Sequence, residues 1–220
     1  MIGMRDTGVS ASNAGDRVST KQVIVIRHAQ KPTSHPKHLG VREDGTSDPE
    51  SLTVRGWLHA GALAAVFGGP GSHPVEAHLE RPEFIFAAGA GKKRVVINGR
   101  SLTVGSHSRR PLETVTPMAE RLGLMPLTIF TKGEEKALVA DVISRGGVVL
   151  ICWQHQDIPT IGNLILGNDT TVPQSWPEDR YDLIWVFDRN RDAWSFRQFH
   201  HARLFSSLQA LAGPTSGRVC

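Results

Sequence analysis

Two short apolar runs constrain the fold of this chain more than any other feature. Residues 23–26 (VIVI) and 148–153 (VVLICW) are rich in β-branched side chains and contain no charged residue. Uninterrupted apolar runs of this length are typical of strands that are buried on both faces of a parallel sheet. Segments with helical spacing of apolar residues lie between such runs. The alternation predicts an α/β fold around a mostly parallel sheet.

The remaining elements are predicted from turn and cap signals. Further strands are expected at residues 83–88 and 127–130, and an antiparallel C-terminal hairpin at 182–200. Helices are expected from Thr53 to the Gly68-Gly69 pair, from Pro111 to Gly123, over 134–143 and over 158–166. Residues 30–51 lack periodicity and are predicted to form a loop. The conformation of the Gly- and Lys-rich segment 89–100 is left open, with a small hairpin through residues 95–97 as one alternative.

The length of 220 residues fits one domain. We expect a disordered N-terminal arm over residues 1–20, a single domain over 21–206 and a flexible tail over 207–220. The two cysteines, Cys152 and Cys220, offer no disulfide framework, and no segment approaches the ~20 apolar residues of a membrane span. These observations predict a soluble protein in the reducing cytoplasm.

The formal charge of +4 is small for this length, although six lysines and arginines crowd residues 92–110. No aromatic residue interleaves with these cations. A solvated basic loop is therefore favoured over a surface that binds nucleic acid.

Polar side chains with a shared chemistry follow the two most apolar strands. The first strand ends in Arg27-His28, and the later one runs into residues 154–157 (QHQD). Because ligands of α/β sheets bind beyond the carboxyl ends of the strands, these groups are expected at one edge of the sheet. Residues 106–111 (SHSRRP) add a guanidinium at or beside a predicted helix N-terminus, which favours anions. Two imidazoles and two guanidiniums without a carboxylate cluster suit a phosphoryl group better than a metal.

Four motifs resemble, in order and spacing, those of the histidine phosphatase superfamily, also called phosphoglycerate mutase-like proteins. Residues 23–29 (VIVIRHA) resemble its N-terminal Arg-His signature, and residues 52–60 match its Leu-Thr-x-x-Gly-x-x-x-Ala helix start. Residues 108–114 match Ser-x-Arg-Pro-x-x-Thr, its second arginine motif, and residues 148–155 resemble the strand that delivers its second histidine. The resemblance implies a three-layer α/β/α sandwich.

The resemblance also implies roles for individual residues. His28 is expected to be the nucleophile that forms a phosphohistidine, and Arg27, Arg110 and His155 are expected to clamp the phosphate. Ser108, Gln154 and Lys31 are expected to contact the substrate. Asp157 is preferred as the proton donor, with Glu134 and Glu135 as alternatives.

Two features bear on the activity. Ala29 replaces the glycine of the commonest signature, and no asparagine-bearing stretch typical of phosphoglycerate mutases follows it, so mutase activity is disfavoured. The predicted function is a phosphatase for a small phosphomonoester that needs no metal or other cofactor. The alternative is a phosphate- or nucleotide-binding sensor or interaction module of the same fold, with little or no turnover. The sequence leaves open whether the protein forms a homodimer. For Asp157, a simpler interpretation than proton donor is that it caps the N-terminus of the helix that follows.

Overall fold

A computed structural model describes residues 19–33, 39–68, 79–97 and 99–200. Residues 1–18 of the expected arm and the whole expected tail, 207–220, lie outside these ranges. Thr20, which the sequence assigned to the arm, is the first residue of a strand, and its Oγ1 donates to the Val142 carbonyl at 2.6 Å.

Seven strands and four helices follow one another in the described residues. They are β1 (Thr20–Arg27), α1 (Val54–Gly68), β2 (Phe84–Ala87), β3 (Gly91–Ile97), β4 (Arg100–Ser106), α2 (Arg110–Leu122), α3 (Glu135–Ser144), β5 (Gly147–Trp153), α4 (Ile158–Leu166), β6 (Leu183–Asn190) and β7 (Ala193–His200).

Five of the strands form the main sheet, in the order β2-β5-β1-β6-β7. Strands β2 and β1 both pair with β5 in parallel, whereas β6 pairs antiparallel with β1 and with β7. The C-terminal hairpin predicted at 182–200 is therefore confirmed as β6 and β7. Strands β3 and β4 form a separate two-stranded antiparallel sheet, so the hairpin that the sequence left open within 89–100 is present and extends to residue 106.

Alternate residues of β1 belong to two different hydrophobic clusters. Val23 and Val25 belong to a cluster with side chains of α3 and α4, and Ile24 and Ile26 belong to a cluster with side chains of α1 and α2. Both sets are buried, which is why this strand contains an unbroken apolar run.

Helix boundaries follow the predicted signals closely. Helix α1 ends at Gly68, as predicted from the glycine pair. Helix α2 has Pro111 in its first turn and ends at Gly123, whose φ of 69° is the left-handed conformation in which glycine carries no penalty.

The strand predicted at 127–130 is wrong. Leu127 makes a single bridge to Phe86, through hydrogen bonds with Ala87 and Ile85, and no strand continues from it. Ile129, which the apolar pattern placed within the strand, has 55% of its surface exposed. The run is apolar enough to start pairing beside β2, but too little of it is buried to extend the ladder.

None of the described helices has the length and apolar character that crossing a membrane requires.

Candidate active site

His28 lies directly after β1, and the carboxyl ends of β1 and β5 are adjacent. Arg27 pairs with Trp153 in the sheet register, and the His28 amide donates to the Trp153 carbonyl at 3.1 Å. The residues after the two strands, His28 and Gln154-His155, therefore begin side by side. This is the arrangement that the parallel sheet predicted.

The surroundings of the His28 imidazole determine which of its two ring nitrogens carries the proton. The ring is almost fully buried, and Nδ1 lies 2.8 Å from the carbonyl oxygen of Ala29. A carbonyl only accepts hydrogen bonds, so in the neutral ring Nδ1 carries the proton and Nε2 keeps its lone pair. The pKa of His28 is lowered to about 3, chiefly by burial; the Ala29 contact opposes this shift, and Arg27, Arg110 and His155 add to it. His28 is therefore neutral at pH 7.

The Arg27 guanidinium is oriented by the loop that precedes β6. Its Nη1 donates to the carbonyls of Pro177, Glu178 and Arg180 at 3.3, 2.6 and 3.1 Å, and its carbon lies 4.0 Å from the centre of the Tyr181 ring. Nε and Nη2 are buried without a hydrogen-bond partner among the described residues. Two adjacent donors of a planar fork thus remain available to an anion.

Arg110 begins helix α2, and most of its donors contact the segment that precedes α1. Nε donates to the Ser51 carbonyl at 3.3 Å, and Nη2 to the Pro49 carbonyl at 2.6 Å. Nη2 also lies 3.5 Å from a carboxylate oxygen of Glu50, and Nη1 donates to Ser108 Oγ at 3.2 Å. Burial lowers the pKa of this guanidinium, and Glu50 opposes the shift.

A threonine of α2 links this helix to the end of β1. The Ala29 amide donates to Thr114 Oγ1 at 2.8 Å, and that hydroxyl donates to the Arg110 carbonyl at 2.7 Å. The residue after His28 is therefore tied to the first turn of the helix that carries Arg110.

His155 and Gln154 place further unpartnered polar atoms at the same edge. Nδ1 of His155 and both amide atoms of Gln154 are buried without a hydrogen-bond partner in the described structure. The pKa of His155 is lowered to about 4, chiefly by burial, and Arg27 and Lys31 contribute to this shift. Buried polar groups are nearly always satisfied in native proteins, so a cluster of exceptions beside Arg27 indicates a ligand site.

Asp157 occupies the N-cap position of α4 but makes no capping hydrogen bond with its side chain. Its Oδ2 instead lies 3.3 Å from Lys132 Nζ. Burial raises the pKa of this carboxyl, and Lys132 opposes the shift. The side chain is thus not explained by helix capping alone.

The two alternative proton donors are held by structural contacts. Glu134 accepts the Thr131 amide and forms a 2.8 Å ion pair with Lys93. Glu135 accepts Trp153 Nε1 at 3.0 Å and the Gly133 amide at 2.9 Å. Both carboxylates stabilise the segment before α3.

The predicted substrate-binding residues are linked to His28, Arg27, Arg110 and His155 in different ways. Ser108 contacts Arg110 directly, and Gln154 lies between β5 and His155. Lys31 follows β1 by four residues, and its charge acts on His155.

Sequence reasoning missed three contributors, namely Tyr181, the carbonyl groups of 177–180 and Lys132. The chain has one tyrosine, and its position just before β6 was the available signal. The carbonyls carry no side-chain signature. Among the residues that the structure describes, no group of three or more His, Cys, Asp or Glu side chains is arranged to hold a metal ion.

Comparisons with known proteins give structural neighbours but no sequence match. No family model matches the chain, and no curated protein matches it. A protein assigned as the phosphohistidine phosphatase SixA from Agrobacterium tumefaciens has a TM-score of 0.49 and 14% identity, over 81% of this chain and 97% of its own. A mycobacterial glucosyl-3-phosphoglycerate phosphatase, solved with VO3, has a TM-score of 0.47 and 13% identity, over 81% and 97% of the two chains. These neighbours are proteins of the histidine phosphatase family.

Proposed function

We propose that this protein is a phosphatase that hydrolyses a small phosphomonoester through a phosphohistidine on His28. The observation that carries the proposal is the state of His28: a neutral, buried imidazole whose Nδ1 faces a carbonyl, so that Nε2 is the free nucleophile. The guanidinium charges of Arg27 and Arg110 both act on this ring. A nucleophile surrounded by cations suits attack on a dianion.

The reaction has two displacements on phosphorus. In the first, His28 Nε2 forms a bond to phosphorus while the bond to the ester oxygen breaks, and the leaving oxygen takes a proton from Asp157. In the second, a water molecule attacks phosphorus, the P–N bond breaks, and the proton of the water returns to Asp157. Arg27 and Arg110 stabilise the charge on the phosphoryl oxygens throughout.

The proposal includes independence from metal ions. Phosphoryl transfer needs positive charge around the equatorial oxygens, and two guanidiniums can supply it. The unpartnered Nε and Nη2 of Arg27 support this assignment, because they are the donor pair that binds two oxygens of one phosphate.

The same proposal covers features that the sequence predicted at finer detail. They are the roles of Ser108, Gln154 and Lys31 at the substrate, a three-layer α/β/α arrangement, a cytoplasmic location, no binding of nucleic acid and, as an open alternative, a homodimer. The partition of β1 side chains between two clusters, each with its own pair of helices, supports the layered arrangement.

A second candidate function is a phosphate- or nucleotide-binding module with little turnover. The Lys132 cation beside Asp157 favours it, because this cation stabilises the ionised carboxyl, which cannot donate a proton. The two candidates differ in one assay. Steady-state hydrolysis of a panel of phosphomonoesters should exceed background, vanish in His28→Ala and persist in His107→Ala, a matched change at an exposed histidine. Tight binding of phosphate without hydrolysis would favour the module and contradict the phosphatase.

A further inference from the structure

Lys132 lies in the short segment between Leu127 and α3, opposite the start of α4. Its ammonium group is 3.3 Å from Asp157 Oδ2, and the Asp157 side chain is 22% exposed against 37% for Lys132. The pair therefore lies at the boundary between the site and solvent. Glu135 is the other charged group that acts on Asp157, while Arg27, Lys31 and Glu178 act with Lys132 on His155.

The separate β3–β4 hairpin holds the segment that carries Lys132. The Gly105 amide at the end of β4 donates to the Lys132 carbonyl at 2.7 Å. Thr131 Oγ1 donates to the Gly89 carbonyl at 2.9 Å, and Lys93 of β3 pairs with Glu134 at 2.8 Å. The Lys132 carbonyl is thus bound to β4, the Glu134 side chain to β3, and the Thr131 side chain to the residues that lead into β3.

The other side of the segment is bound to the main sheet. Glu135 Oε1 accepts both the Gly133 amide and the Trp153 indole of β5. Lys132 is therefore anchored between two sheets, and its side chain meets Asp157 from a fixed backbone. A long lysine side chain on a free loop would lose more conformational entropy in the same ion pair.

We propose that Lys132 is a positioning residue for the proton donor Asp157, and that the β3–β4 hairpin serves the site by holding Lys132 in place. This inference rests on the proposed phosphatase function. An ammonium group only donates, so its cation beside Oδ2 favours the carboxyl proton on the other oxygen, Oδ1. When that proton is transferred, Asp157 becomes an anion, and the adjacent Lys132 cation stabilises it. The stabilisation is larger after proton transfer than before, which is the condition for accelerating the step.

The test compares Lys132→Met with Lys132→Arg on two substrates, an alkyl phosphate and p-nitrophenyl phosphate. An alkoxide needs a proton to leave, whereas p-nitrophenolate leaves readily without one. We expect Lys132→Met to lower kcat roughly 10- to 100-fold on the alkyl phosphate, to lower it much less on p-nitrophenyl phosphate, and to be rescued by Lys132→Arg. Lys136→Met, at an exposed lysine of α3, is the matched control and should behave as wild type.

The pH profile gives a second readout that a purely structural role would not change. Loss of the Lys132 cation removes an influence that lowers the pKa of Asp157, so the alkaline limb of kcat/KM should move to higher pH in Lys132→Met. Equal losses on the two substrates with an unmoved limb would overturn the inference, as would wild-type kinetics in Lys132→Met. If instead His28→Ala retained full activity, the proposed function itself would fail, so the two failures are distinguishable.

Discussion

The backbone amide of Ala29 donates to the buried hydroxyl of Thr114 at 2.8 Å. This bond joins the residue that follows His28, the proposed nucleophile, to the helix that carries Arg110. Two residues of the candidate site that are far apart in sequence thus share one buried connection, whose loss would affect both stability and geometry.

Thr114→Val should destabilise the protein and impair catalysis. Valine has the shape of threonine but cannot accept the Ala29 amide, which would remain buried without a partner at a cost of about 1–3 kcal/mol. Thr116→Val is the matched control, because Thr116 lies on the same helix and donates to the Leu112 carbonyl but accepts no such amide. Urea unfolding should therefore separate the two variants. Equal unfolding free energies of the two variants would show that the hydrogen bond from the Ala29 amide to Thr114 does not stabilise the protein.

Arg110→Ala should reduce kcat/KM by about 10²–10³, as removal of one charge-stabilising donor typically does. Arg109→Ala should change it little, because the Arg109 side chain is half exposed and its ion pair with Glu113 is long, at 3.6 Å. Steady-state kinetics of both variants check the assignment. Comparable activity in the two would mean that Arg110 is not part of the clamp.

The stability of the folded state should fall in acid because of the two buried histidines. Their pKa values are lowered to about 3 for His28 and about 4 for His155, whereas an unfolded histidine titrates near 6.5. Between the lowered pKa values and 6.5, the unfolded chain therefore binds more protons than the folded protein. The unfolding free energy rises as the pH rises through this range, and above pH 6.5 these two histidines no longer change it.

His28→Gln should remove part of this dependence, up to about 1.4 kcal/mol per pH unit. Urea unfolding at about pH 5 and about pH 7 measures the difference, with His107→Gln as an exposed control. An unchanged slope in His28→Gln would contradict the assignment of a neutral, buried imidazole.

Chelation should leave hydrolysis intact. Because the clamp is built from guanidinium and imidazole groups, prolonged dialysis against EDTA should not lower kcat, whereas vanadate should inhibit as a phosphate analogue. Loss of activity on dialysis that Mg²⁺ or Zn²⁺ restores would refute the metal-independent mechanism.

Much of the fold was predictable because its strongest signals are local. The runs that became β1 and β5 are buried on both faces, and the glycine that ends α2 adopts a positive φ. The strand prediction for residues 127–130 was wrong, because apolar character alone does not show whether a segment is buried beside a neighbouring strand. Pairing beyond Leu127 depends on tertiary burial that periodicity does not record.

The grouping of the candidate site residues was predictable for a topological reason. In a parallel sheet, residues that follow neighbouring strands meet at one edge, so Arg27, His28 and His155 could be grouped before any coordinates. Tyr181 and Lys132 could not, because each lies in an irregular segment that only the folded chain brings to the site. Their contributions come from a ring face and a single long side chain, neither of which follows a fixed spacing.

Detection of the covalent intermediate tests the central claim most directly. Wild-type protein mixed with a phosphomonoester, quenched within one turnover and digested under alkaline conditions, should yield a peptide containing His28 that carries one phosphoryl group, and His28→Ala should yield none. Hydrolysis that proceeds without any phosphoryl group on His28 would contradict the account.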